Sequence, residues 1–92
     1  MLVVSHDAFN TNPHYPKILA VHLTSVRRSA EPYSWEVAIP KRAAGIPKPS
    51  VAKCAEIYTL WKDQLGTRCG SLPAELMARV DRALAIALAL PS

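Results

Sequence analysis

The sequence predicts an α+β fold: a small curled antiparallel sheet with one long helix packed across it. Two observations carry this. Short apolar or alternating runs of strand length, separated by proline-rich connections, fill the first three quarters of the chain, and a single Ala/Leu-rich segment with helical periodicity closes it. A chain of 92 residues holds one domain, and its 50% hydrophobic and 20% charged residues describe a globular protein rather than a disordered one.

The elements follow in order. Leu2 to Val4 is a short apolar run. Ser5 to Pro16 is polar and turn-rich, with a helical turn at Asp7 to Asn10. Pro16 to Thr24 alternates, so that Leu19, Val21 and Leu23 form the predicted core face while Ile18, Ala20, His22 and Thr24 point the other way. Ser25 to Ser34 reads as a loop. Trp35 to Ile39 is a strand with Trp35, Val37 and Ile39 on one face, and Pro40 stops it. Gly45, Pro47 and Pro49 exclude regular structure from Lys41 to Pro49, a connection with few apolar anchors that should be mobile. Ser50 to Leu60 resumes as a strand, Trp61 to Leu65 suits one helical turn, and Thr67 to Leu72 predicts a brief strand around Gly70.

The helix is predicted from Pro73 to Leu90. Proline suits a first helical position, and Pro91 ends the segment. Its first half is amphipathic, with Leu76, Met77, Val80 and Leu84 opposite Glu75, Arg79 and Arg82. Its second half, ALAIALAL, has no polar face. A helix end that is apolar all round predicts burial on all sides through self-association, which Leu84→Glu with Leu88→Glu should disrupt.

The net charge is +4, with a pI near 9.4. From Arg27 to Lys62 the basic residues outnumber the acidic ones, which favours a polyanionic partner. Cys54 and Cys69 form no CxxC pair and read as reduced core thiols of a cytoplasmic protein, the alternative being a single disulfide between neighbouring strands, which would imply export. The longest apolar stretch, Ala83 to Leu90, is far too short to cross a bilayer, and the N-terminus has no basic region followed by an apolar one. Metal ligands at zinc spacing are absent, and no cofactor or membrane association is expected.

The chemistry concentrates in ILAVHLTSVRR, Ile18 to Arg28, where a strand ends in Thr24 and Ser25 and passes into Arg27 and Arg28. Hydroxyls and fixed positive charges at a strand end can hold a phosphodiester, although Thr and Ser also serve strand ends simply as turn residues. Ser25 should face the other side of the strand from Thr24.

The order of elements resembles the MazF/PemK (Kid-like) toxins, ribosome-independent messenger RNA interferases of toxin–antitoxin systems. The resembling segments are LVVSHDAFN (Leu2 to Asn10), ILAVHLTS (Ile18 to Ser25), AGIPKPSVAKCAEIYTL (Ala44 to Leu60) and CGSLPAELMARVDRALAIALAL (Cys69 to Leu90). The resemblance implies an SH3-like β-barrel with a C-terminal helix, a homodimer, an antitoxin partner, and metal-independent cleavage of single-stranded RNA by attack of the ribose 2′-hydroxyl on the adjacent phosphate. It implies that Thr24 hydrogen-bonds that phosphate. It also aligns Leu2 to Ser5 with the family's second strand, so the family's first strand and its Arg-Pro pair have no counterpart here. His22, two residues before Thr24 on the same strand face, and Arg28 are then the candidates for proton transfer and charge stabilisation. Ser25, Arg27, Lys48, Lys53 and Glu56 are the candidate RNA contacts. At Ala55-Glu56 the sequence departs from the family's acidic or amide pair. A second reading of the same features is a non-catalytic module that only binds antitoxin or nucleic acid.

Overall fold

The computed structural model describes residues 1–25, 31–66 and 70–91. Strands β1 (Leu2–Val3), β2 (Lys17–Ser25), β3 (Glu36–Ile39) and β4 (Ser50–Trp61) form one antiparallel sheet in the order β1-β2-β4-β3, with helices α1 (Asp7–Thr11) and α2 (Ala74–Ala87). α1 forms where the loop supplies its own caps. His6 Nδ1 accepts the Ala8 N–H at 2.9 Å, Ser5 Oγ donates to Asn10 Oδ1 at 2.6 Å, and Asn10 Nδ2 donates back to the Ser5 carbonyl at 3.0 Å.

The β2–β4 ladder breaks between Val21 and His22. Val21 pairs with Ile57 but His22 pairs with Lys53, leaving Cys54, Ala55 and Glu56 opposite a single step of β2. The extra residues lie on β4, so the bulge re-aims the side chains of that strand. The core face predicted for β2 from simple alternation is corrected in its first half: Ile18 and Ala20 are buried, Leu19 is half-buried, and from Val21 onward the predicted set packs in the core. Ile18 and Ala20 lie outside the main core cluster, in the half of β2 that precedes the bulge.

The core cluster joins Val21, Val37, Ile39, Ala52 and Cys54 of the sheet to Val80 and Ala83 of α2. Val37 and Ile39 are buried while Ala38 between them is exposed, the alternation predicted for β3, whose bounds shrink to Glu36–Ile39. Ala43 and Ile46 pack against this core, so the Lys41 to Pro49 connection is better anchored than its composition suggested. It also holds a turn of 3-10 helix at Ala43–Gly45, with Ala44 in the left-handed region at φ 54°. Gly70 meets this turn closely: a Cβ there would stand 2.7 Å from the Ala44 carbonyl oxygen. Gly70 to Leu72 form no strand, which corrects the predicted Thr67 to Leu72 element, whose residues 67–69 fall outside the described chain.

α2 is shorter than predicted, from Ala74 to Ala87, with Pro73 as its cap residue. Its last turn closes as a Schellman motif, with the Leu90 N–H donating to the Ala85 carbonyl (2.8 Å) and the Ala89 N–H to the Ile86 carbonyl (3.1 Å). Ala89 sits at φ 55°, where glycine is favoured. Ala89→Gly is therefore expected to raise the stability by about 1 kcal/mol, read as a higher urea midpoint at unchanged slope. Beyond this point Ile86, Leu88 and Leu90 are each more than half exposed, so within one chain the apolar helix end is not buried. Leu84, by contrast, packs against the core cluster. Among the described residues no helix is long and apolar enough to cross a membrane.

Candidate functional site

The antiparallel register places side chains in rows across the sheet, and directly paired residues share a face. One row runs Leu23, Ala52, Val37 and faces the core; the adjacent row runs His22, Lys53, Glu36 and faces away from it. The next outward row is Thr24, Val51, Ala38. His22, Thr24 and Lys53 thus share the outer face, as the sequence predicted for the first two. The bulge decides the third, because without it β4 would present another residue opposite His22.

Directly opposed pairs lie about 4.5–5.5 Å apart, and diagonal ones about 7–8 Å, within reach of a long side chain. Lys53 is opposed to His22 and diagonal to Thr24. Its Nζ stands 3.7 Å from Glu56 Oε2, in an ion pair whose partners are 37% and 45% exposed. A pair so open to water is weak, and a phosphate can compete for the ammonium. Glu36 flanks Lys53 on the other side, its carboxylate accepting the Tyr33 N–H at 3.2 Å.

Thr24 is half-buried at the end of β2, and among the described residues no side-chain hydrogen bond occupies its hydroxyl. Ser25 pairs with Ser50 in the row of Ile39, on the other face from Thr24, as predicted. Lys48 is exposed in the turn before β4, where its carbonyl accepts the Ser50 hydroxyl at 3.1 Å. Arg27 and Arg28 lie outside the described residues; among the described cations that the sequence predicted, Lys53 is the one set diagonal to Thr24.

Sequence reasoning missed Tyr58. It pairs with Ala20, and its ring meets that of His22 edge-on at a centroid distance of 6.4 Å. At 43% exposed, it offers a flat surface beside His22. The signal was present in β4, but the side of the sheet this tyrosine faces is set by its pairing with Ala20, two residues before His22 on β2.

Directly beneath the outer row, Cys54 is a free, buried thiol, as the sequence predicted; Cys69 lies outside the described residues. Burial, with a smaller contribution from the Glu36 carboxylate, pushes the Cys54 thiol from 9.0 up to about 11. The folded state then favours the protonated form. Its contribution to stability is complete below pH 9 and is lost as pH rises through about 11. At pH 8 Cys54 is expected to resist iodoacetamide until denaturant is added, which peptide mass mapping reads directly.

Residues 1–88 match the sequence pattern of the PemK-like, MazF-like toxins of type II toxin–antitoxin systems. The chain belongs to this family. Among its relatives, endoribonuclease MazF6 of Mycobacterium tuberculosis is 34% identical over 84 residues, covering 91% of this chain and 72% of that protein. Endoribonuclease MazF4 of the same organism is 34% identical over 90 residues, covering 98% and 78%. The solved structure of a mycobacterial endoribonuclease in complex with its cognate antitoxin superposes on this MazF-like chain with a TM-score of 0.81 at 33% identity, covering 99% of this chain and 81% of the other. The Mycobacterium tuberculosis toxin MazF-mt6, at 22% identity and a TM-score of 0.82, shares the fold. The curled sheet and C-terminal helix predicted from the sequence are the MazF architecture.

Proposed function

We propose that this MazF-like toxin is an endoribonuclease that cleaves single-stranded messenger RNA on the outer face of its sheet, at Thr24. The observation that carries this reading is the cross-strand register that sets Lys53 opposite His22 and diagonal to Thr24. In the reaction the ribose 2′-oxygen attacks the adjacent phosphorus, the P–O5′ bond breaks, and the products carry a 2′,3′-cyclic phosphate and a 5′-hydroxyl. The 2′-proton leaves as the P–O2′ bond forms, and the departing 5′-oxygen takes up a proton.

Each residue has a part in that balance. His22 is the acceptor of the 2′-proton, since an imidazole can exchange protons near neutral pH. Negative charge grows on the non-bridging oxygens in the transition state, where the Thr24 hydroxyl donates and the Lys53 ammonium stabilises it. Lys48 and Glu56 contact the flanking RNA, which Ser25, on the other face of β2, does not meet, and Arg27 and Arg28, which follow β2 in the sequence, add positive charge. The reaction proceeds in the cytoplasm without a metal.

The cognate antitoxin, by this reading, inhibits by laying a segment of its chain over the outer face at Thr24 and His22. The toxin acts as a homodimer joined through the apolar end of α2. Because Leu84 is part of the core, Leu88→Glu with Leu90→Glu is the discriminating variant: it is expected to halve the sedimenting mass without changing the melting temperature.

Incubation of the purified protein with single-stranded RNA in excess chelator tests the function. Fragments with 5′-hydroxyl ends support it. Intact RNA that remains bound supports the second reading, a MazF-like module that binds without cutting.

A further inference from the structure

We propose that the cleft between the outer edge of β3 and α2 is a second RNA subsite, which takes a nucleotide flanking the cleaved linkage. The inference rests on the endoribonuclease reading for its ligand, but not for its geometry. The cleft encloses about 430 Å³ and is lined by Tyr33, Glu36, Ala38, Arg79, Arg82 and Ile86, among others.

Three features suit a nucleotide. Tyr33 is 63% exposed, and its ring lies flat on Trp35, with centroids 4.8 Å apart and planes 8° from parallel. That stacking fixes the orientation of Tyr33 and leaves its other side open to a base, the device by which single-stranded nucleic acids are held without strict sequence preference. Arg79 and Arg82 stand one turn apart on α2, exposed and without an ion-pair partner among the described residues, as a phosphate requires. Glu36 offers a carboxylate to a base amino group.

The cleft is also continuous with the site. The outward row His22, Lys53, Glu36 ends on Glu36, which is itself a wall of the cleft. Neighbouring strands are about 4.8 Å apart, so crossing from β2 to β3 covers about 10 Å. An RNA strand lodged at Thr24 and running across the sheet therefore reaches Glu36 and the β3 edge within a few nucleotides, and turns over that edge to meet the arginines. The open face of Tyr33 favours a nucleotide over an acidic peptide as the occupant, because a base stacks on it while its phosphate meets the arginines.

The test uses fluorescent 2′-O-methyl RNA, which cannot be cleaved, in lengths of about 4 and about 12 nucleotides, a span within the usual range of single-strand sites. Arg79→Ala with Arg82→Ala should weaken binding of the longer RNA about tenfold and lower its logarithmic salt slope by about 1.4, leaving the shorter RNA unaffected. Tyr33→Ala should weaken the longer RNA about tenfold with an unchanged salt slope, and Tyr33→Trp should restore it. Sedimentation and thermal melting of each variant confirm that assembly and fold are intact. Unchanged affinity for the longer RNA overturns the subsite. So does loss of binding to an acidic Glu/Leu peptide with RNA affinity preserved, which would make the cleft a protein-docking surface. Cleavage assays separate the two readings: variants that bind and cut normally sink the subsite alone, whereas cleft-dependent RNA binding with no cleavage by the wild type sinks the nuclease alone.

Discussion

Thr24→Val is expected to slow RNA cleavage about ten- to a hundredfold while leaving RNA affinity within about threefold of wild type. The substitution keeps the branched shape that suits a strand and removes only the hydroxyl. A hydrogen bond to a charged phosphate oxygen contributes about 1.5–3 kcal/mol, and a bond that strengthens as charge develops appears in kcat rather than in KM. Single-turnover cleavage of a 5′-labelled RNA measures it. A wild-type rate would remove Thr24 from the chemistry. Lys53→Gln in parallel separates the two contributions, because loss of the ammonium should raise KM and flatten the salt dependence as well as slow the reaction.

Val80→Asp is expected to unfold the domain at room temperature. Val80 is fully buried on α2 among Val21, Val37, Ile39 and Cys54 of the sheet. A carboxylate there would have no cation to pair with in that apolar cluster, and an unpaired buried charge costs several kcal/mol even after the group protonates or the structure relaxes. A domain of this size has a stability of only about 5–10 kcal/mol. Val80→Ala is the calibrating variant: it leaves a cavity, costs about 2 kcal/mol, and should stay folded with a lowered melting temperature. A folded, cooperative Val80→Asp protein by circular dichroism would mean that α2 does not depend on this contact.

The contrast between these two positions follows the logic of the fold. Val80 matters because helix and sheet bury little besides their shared cluster. Thr24 is the candidate because the same sheet turns its other face outward, and among the described residues no side-chain hydrogen bond occupies its hydroxyl. The outer face depends on one irregularity, the bulge at Val21/His22, which sets Lys53 opposite His22.

Much of this was legible in the residues. Alternation in EVAI predicts a strand with Val37 and Ile39 inward, and that is found, because a period of two maps directly onto a pleated strand. Pro73 before an Ala/Leu-rich run predicts the start of α2, and the segments shared with MazF toxins predict the curled sheet. His22 and Thr24 on one face follow from spacing alone. Tyr58 and the role of Lys53 do not, since each depends on which residue of β4 lies across from β2. The end of α2 was misjudged for a different reason. Ala85 to Leu90 has full helical propensity, but the chain turns at Ala89 through a left-handed residue that propensity disfavours.

The amino-acid sequence by itself therefore determined the fold class, the toxin family, the element that carries the candidate threonine and the buried side of the helix, since these rest on local periodicity and on motifs contiguous along the chain. Only the tertiary structure decided which residue of β4 lies opposite His22, which aromatic ring meets it, and that a cleft opens between β3 and α2. The physical reason is that strand register is a relation between distant segments: three unmatched residues in β4 reassign every neighbour beyond them, and no local pattern in either strand records the shift.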